Sequence, residues 1–391
     1  MLLLLGAVQF VNILDFMIVM PLGPDFARAL RIPIERIAFI SASYALAAGV
    51  AGLIGSRFLD RFDRRRALAV AMFGLVIATA MGGMAQGLGT LIAARMLAGC
   101  FGGPASSLTF SILSDAVPPE RRGRAIGMVM AAFSVASVIG VPSGLWLASL
   151  GSWRTPFFSV ALMGLLVAGS AISILPPLRG HLDAKRKDEA RFLRNLARRP
   201  AVLLCWAMTG AVMMANFALV PYVSPFIQLN LGFPRAHLQY LYMAGGTVGF
   251  TTQQIAGYLA DRFGELRVTL GGTLVLELVL LTGFALTLGV PVPAIFLGYM
   301  LSTSFRTVPL SSIASKVPRP WERAKFLSIQ SAVQHFASAL GAFASSRILH
   351  SSSPTAPIEG MPRVALLCML LTAVIPVFMW QVKRQLVSSP H

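Results

Sequence analysis

The sequence predicts an all-α integral membrane protein of twelve transmembrane helices, arranged as two pseudo-symmetric six-helix bundles. Three observations predict it. Apolar runs recur at the length of about 20 residues that a helix rising about 1.5 Å per residue needs to cross hydrocarbon. Hydrophobic residues make up 56% of the chain and charged residues 12%, a balance foreign to a soluble core of this size. The third is a duplication: Asp60-Arg61-Phe62-Asp63-Arg64-Arg65-Arg66 returns as Gly257-Tyr258-Leu259-Ala260-Asp261-Arg262-Phe263-Gly264, each copy between two apolar runs. At nearly one offset, Pro21, Pro24 and Pro33 are echoed by Pro221, Pro225 and Pro234. Pro119-Glu120-Arg121-Arg122 is likewise echoed by Pro320-Trp321-Glu322-Arg323. The spans must be helices because lipid offers the backbone no hydrogen-bond partner.

In order, the spans lie near residues 2–23, 37–56, 67–86, 88–113, 124–148, 154–175, 201–228, 238–260, 268–288, 291–315, 324–347 and 363–382. The first has no Lys or Arg ahead of it and runs past Asp15 to the turn Pro21-Leu22-Gly23-Pro24, so it reads as a helix and not as a cleaved signal. Basic clusters separate the second span from the third (Arg57 to Arg66), the fourth from the fifth (Arg121 to Arg124) and the sixth from the seventh (Arg179 to Arg199). Smaller ones divide the eighth from the ninth and the tenth from the eleventh, and Lys383 and Arg384 follow the twelfth. These connections hold 24 of the 33 lysines and arginines, including all five lysines, which places them and both termini in the cytoplasm. The expected setting is a bacterial inner membrane. The net charge of +18 is thus a topology signal, and no soluble basic domain exists to bind nucleic acid. The long polar connection divides the chain into a bundle over 1–178, a cytoplasmic basic linker over 179–200 and a bundle over 201–391. Arg191, Arg194 and Arg198 stand at helical spacing in that linker, either as a lateral helix on anionic headgroups or as a solvated tether.

Enzymatic readings find no support. Cys100, Cys205 and Cys368 lie in different apolar spans without CxxC spacing and read as packing residues. The five histidines are scattered with no HExxH, and the chain has neither a GxSxG motif nor a Gly-Lys phosphate loop. No metal and no cofactor is expected.

The loop Asp60-Arg61 with Arg64-Arg65 resembles the signature loop of the major facilitator superfamily, Gly-x-Leu-Ala-Asp-Arg-x-Gly-Arg-Arg, with Ser56 and Asp63 standing where the pattern has glycines. The second copy keeps both, as Gly257 and Gly264. Leu91 to Gly99, with Arg95, is similar to the superfamily's fourth-helix motif. Gly140-Val141-Pro142-Ser143-Gly144 resembles the fifth-helix antiporter motif with an inserted Val, and Trp153 to Phe158 opens the sixth span as that family does. Together with Leu14 to Pro21 these point to the branch of drug/proton antiporters and arabinose-efflux-like permeases. The resemblance implies a central cavity lined by spans one, four, seven and ten that opens to either side by rocking.

Candidate cavity residues are Gln9, Asn12, Asn216, Tyr222, Tyr299 and Arg306, with His335 on the eleventh span. They are few among Met, Phe and Leu, which favours an amphipathic substrate over a sugar that needs several hydrogen bonds. Asp15 is the candidate proton carrier, since an ionised carboxylate in hydrocarbon is costly and usually functional. Counted from the external ends of their spans, Asp15 lies about 13 Å deep and Arg95 about 9 Å, so the two can meet. A permanent structural ion pair is the competing reading. Glu277 is expected to make an interhelical hydrogen bond. Arg306 could be neutralised by an anionic substrate group or by a fixed carboxylate. Asp60, Arg61, Arg64, Asp115, Glu120, Arg121, Asp261 and Arg262 form a candidate cytoplasmic gate, in which Asp60 meets the start of the eleventh span. The GxxxG pairs Gly99/Gly103, Gly123/Gly127, Gly140/Gly144 and Gly245/Gly249 read as close helix packing, with a gating role for Gly140, Pro142 and Gly144 by resemblance.

The expectation is a monomeric, proton-coupled exporter of small amphipathic molecules, whose partners are substrate, protons and membrane lipid. The alternatives are a sugar or metabolite efflux permease and, outside transport, a membrane receptor or lipid-handling scaffold.

Overall fold

The computed structural model describes residues 1–58, 62–175, 196, 198–319 and 322–388, and its secondary structure is helical. No strand forms among the described residues beyond one bridge between His350 and Glu359. The helices are α1 (Leu2–Met17), α2 (Gly23–Leu30), α3 (Ile37–Phe58), α4 (Arg64–Gly83), α5 (Leu88–Ala116), α6 (Pro119–Val135), α7 (Val141–Leu150) and α8 (Thr155–Ile174). After these come α9 (Pro200–Leu229), α10 (Leu238–Phe263), α11 (Glu265–Val279), α12 (Val292–Lys316), α13 (Arg323–Ile348) and α14 (Met361–Ser388). Each of the twelve predicted spans is therefore occupied by helix, and eight helical stretches among the described residues are long and apolar enough to cross a membrane by length and composition.

Two spans depart from the expected continuous helix. The first stops at Met17, turns through Ile18 to Leu22, and restarts as α2 with Pro24 in its first turn. Pro21 lacks the N–H that would continue α1, and Pro24 is suited to a helix start. Its echo behaves otherwise: Pro221 and Pro225 both sit inside α9. The fifth span joins α6 to α7 through a π segment, Ala136–Gly140, where the Val141 N–H reaches back to the Ala136 carbonyl. Pro142 follows immediately, and the wider turn accommodates the donor it lacks. A second π segment, Leu280–Ala285, ends the ninth span.

The chain forms two compact units, one of Met1–Lys185, Pro221–Met243 and Ser351–Pro357, the other of Arg186–Val220, Ala244–His350 and Ile358–His391. In the first, α5 packs between α3 and α4, and α1 lies against α6. Close approach of α3 and α5 depends on glycine: a Cβ on Gly99 would strike the Tyr44 carbonyl, and one on Gly103 would lie 2.6 Å from the Ala48 carbonyl. Helices in lipid gain little from apolar burial against each other, so such backbone proximity is what holds them together. The packing reading fails for Gly123, Gly127 and Gly249, where a Cβ would meet no atom within 4 Å. In the second unit α11 packs on α12 and α14. Its core joins Trp206, stacked on Phe326 at 5.8 Å, to Val202, Ile313, Ile375 and Met379.

Candidate functional site

Gln9, Asn12 and Asp15 recur every three residues along α1 and so fall on neighbouring turns of one face. Each finds a partner on α5. The Arg95 Nη1 donates to Asp15 Oδ1 at 2.9 Å and Nη2 to Oδ2 at 2.9 Å, with a further bond from Nη2 to the Asp15 carbonyl at 3.1 Å. Thr79 of α4 adds a hydroxyl to Asp15 Oδ1 at 2.8 Å. Both charged residues are buried, Asp15 at 0% and Arg95 at 1% exposure. A buried ion pair is tolerable when its geometry is good, as in this bidentate fork, although the Arg95 Nε is left without a partner. The guanidinium also lies 4.7 Å from the centre of the Tyr44 ring. Tyr44 in turn donates to Asn12 Oδ1 at 2.8 Å, while Asn12 Nδ2 donates to the Gly102 carbonyl at 2.9 Å. Gln9 Nε2 donates to Ser106 at 3.0 Å. Tyr44 and Thr79 are members of this centre that sequence reasoning missed.

The irregular part of the fifth span lies against the same turn of α1. A Cβ on Gly140 would come within 2.9 Å of Leu14, and one on Gly144 would collide with Ile18, so the two glycines bracket Asp15. Pro142 sits between them in the first turn of α7.

Of the candidate gate, the first unit pairs Arg64 with Asp115. Asp63 caps α4, its Oδ1 accepting from the Arg65 N–H at 2.9 Å. Arg121 is exposed, and Asp60, Arg61 and the Glu120 side chain lie outside the described residues. In the second unit Asp261 is exposed and Arg262 donates to the Tyr258 hydroxyl at 3.2 Å. Two of the ion pairs there meet at Glu265, which receives Lys316 and, at 2.7 Å, Lys383, and another joins Arg199 to Glu322 at 2.6 Å. Sequence reasoning passed over Glu265. The repeat offset was the available signal: Glu265 and Lys316 stand 201 residues beyond Arg64 and Asp115, as Asp261 does beyond Asp60. The bridge recurs with its charges exchanged. The turn beside it differs too, for Gly264 has φ +87° where Asp63 has φ −56°.

The remaining candidates divide. Asn216, at the repeat position of Asp15, accepts from the Tyr299 hydroxyl at 3.5 Å. Arg306 is 1% exposed, and its Nε and Nη1 have no hydrogen-bond partner. Glu277 accepts from Thr372 at 2.6 Å, an α11 to α14 bond. His335 is half-buried on α13. Tyr222 lies apart from these, in the first unit, where its hydroxyl donates to the Glu35 carbonyl at 2.6 Å. Nearby Ser224 donates to the Pro21 carbonyl at 2.8 Å and Arg235 pairs with Asp25 at 2.9 Å. No cluster of His, Cys, Asp and Glu that could hold a metal occurs among the described residues.

The family model of the Major Facilitator Superfamily matches residues 5–342. The chain belongs to the major facilitator superfamily. Major facilitator superfamily proteins are membrane transporters and not enzymes, and several are similar to this chain. It is 25% identical over 260 residues to an uncharacterized MFS-type transporter, YtbD, of Bacillus subtilis, covering 66% of this chain and 63% of that one. It is 24% identical to the putative transporter AraJ of Escherichia coli, covering 66% and 65%, and 24% identical to a chloramphenicol resistance protein of Streptomyces lividans, covering 65% and 65%. The match thus spans a little under two thirds of the length of each of these relatives. Among solved superfamily structures, a bacterial homolog of the human lysosomal transporter Spinster aligns with a TM-score of 0.78 at 16% identity, covering 100% of this chain and 98% of that one. A D-xylose-proton symporter aligns with 0.77 at 16%, covering 97% of each. These two establish the superfamily's fold for the chain.

Proposed function

We propose that the protein is a proton-coupled exporter of small amphipathic molecules, working by alternating access in a bacterial inner membrane with both termini cytoplasmic. The observation that carries the reading is the buried Asp15, on an α1 face, held by Arg95 and Thr79. A proton reaching this carboxylate removes the charge that Arg95 grips, so protonation and helix contact are coupled. The π segment and Pro142, flanked by Gly140 and Gly144, supply an element able to bend beside that contact. Asp25 with Arg235 and Arg64 with Asp115 act as latches at opposite ends of the first unit's helices.

Among transport readings, amphipathic cargo is favoured over sugar. Asn12 and Gln9 spend their amides on Tyr44, Gly102 and Ser106, which leaves the α1 face few groups to replace a sugar's hydration. The resistance to chloramphenicol in the name of the Streptomyces lividans relative points the same way. The test is uphill transport in proteoliposomes driven by a pH gradient, with amphipathic probes and pentoses in parallel. Concentrative movement of the amphipaths alone is the expected result, and no proton-driven movement of any probe would end the proposal.

A further inference from the structure

We infer that the transported molecule carries a negative charge and that Arg306 receives it, a deepening that rests on the exporter reading. Arg64, Arg95 and Arg306 are the buried arginines among the described residues. The first is paired with Asp115, and the second is gripped through both terminal nitrogens by Asp15. Arg306, at 1% exposure, leaves Nε and Nη1 without a partner. Removing a guanidinium from water costs several kcal/mol that only a bonded anion offsets, and the described side chains around Arg306 supply none.

The nearby fixed carboxylate is otherwise engaged. Glu277 of α11 is near enough to act on the Arg306 charge, yet it makes no ion pair with it and takes the Thr372 hydroxyl at 2.6 Å instead. Tyr299, two turns before Arg306 on the same face of α12, is buried, and its hydroxyl is given to Asn216. Nε and Nη1 each carry an N–H that lacks an acceptor, and the oxygens of a carboxylate or a phosphate monoester supply both the acceptors and the opposing charge. Arg95 leaves its Nε unbonded, yet its charge is met by Asp15 in the first unit, whereas the Arg306 charge in the second is met by cargo.

The test compares benzoate, benzamide and benzylamine as probes of the full-length protein in detergent, by calorimetry and thermal shift. Wild type should bind benzoate about tenfold or more tightly than benzamide, the range of one charge-assisted hydrogen bond or more. Arg306→Gln should erase that preference and Arg306→Lys should keep part of it. Glu277→Gln should strengthen benzoate binding severalfold, because a nearby negative charge is removed. Equal binding of benzoate and benzamide by wild type, including no binding of either, overturns the inference, and this comparison needs no variant to fold. So does an Arg306→Gln protein that melts cooperatively and still prefers benzoate. Proton-driven transport of benzylamine without anion preference would sink the Arg306 assignment and leave the exporter standing. Benzoate preference without any uphill transport would do the reverse.

Discussion

Asp15 accepts two bonds from one guanidinium and a third from a threonine hydroxyl, so three donors on two other helices converge on one carboxylate. Asp15→Asn keeps the size and removes the charge. Such a protein should still bind cargo but lose concentrative, pH-driven transport in proteoliposomes, and undiminished uphill transport would take Asp15 out of the mechanism. Thr79→Val removes a single hydrogen bond to a charged group, worth roughly 1.5 to 3 kcal/mol. It should weaken coupling without abolishing it, read as fewer cargo molecules moved at a fixed pH difference. Asp15 and Arg95 were legible from the sequence because depth can be counted along a span from its end. Tyr44 and Thr79 were not. A solitary hydroxyl in an apolar helix looks the same whether it satisfies its own backbone or a distant charge, and the single proton of Thr79 is shared between the Leu75 carbonyl and Asp15, each 2.8 Å away.

At the scale of elements, span positions followed from apolar length, while their interiors did not. The break after Met17 and the uninterrupted α9 arise from prolines that match in the repeat, so proline position alone does not decide between a turn and a continuous helix. GxxxG spacing was equally double-edged. Gly99 and Gly103 lie against the α3 backbone, which cannot yield, whereas Gly123 and Gly127 face open space. Gly103→Val should therefore cost about 1 to 3 kcal/mol by overpacking. Gly127→Ala should be neutral or stabilising by up to about 1 kcal/mol, since alanine is the better helix former. Thermal melting of the two variants in one detergent checks both signs, and a Gly103→Val protein as stable as wild type would mean that α3 and α5 are not in close register.

The molecule as a whole carries its duplication unevenly. Arg64 with Asp115 and Glu265 with Lys316 are one bridge written twice with opposite polarity, so neither half can borrow the other's partner without creating a like-charge clash. Arg64→Glu should impair transport and lower the melting temperature, and adding Asp115→Lys should restore both, with a coupling of about 1 kcal/mol or less at this partly exposed site. A double variant as defective as the single one would show that more than charge pairing is involved. The buried pair of Asp15 and Arg95 has a consequence of another kind, for membrane voltage. Together they are electrically silent, and moving them through the field does no work. Once Asp15 takes a proton, the Arg95 charge stands alone, and each elementary charge carried across the bilayer is worth roughly 2.3 kcal/mol per 100 mV. The protonated step should then be driven by an inside-negative potential even where no pH difference exists. Potassium-diffusion potentials imposed on proteoliposomes at symmetric pH should accelerate wild-type turnover, and a rate indifferent to voltage would mean that the arginine stays still while the proton passes.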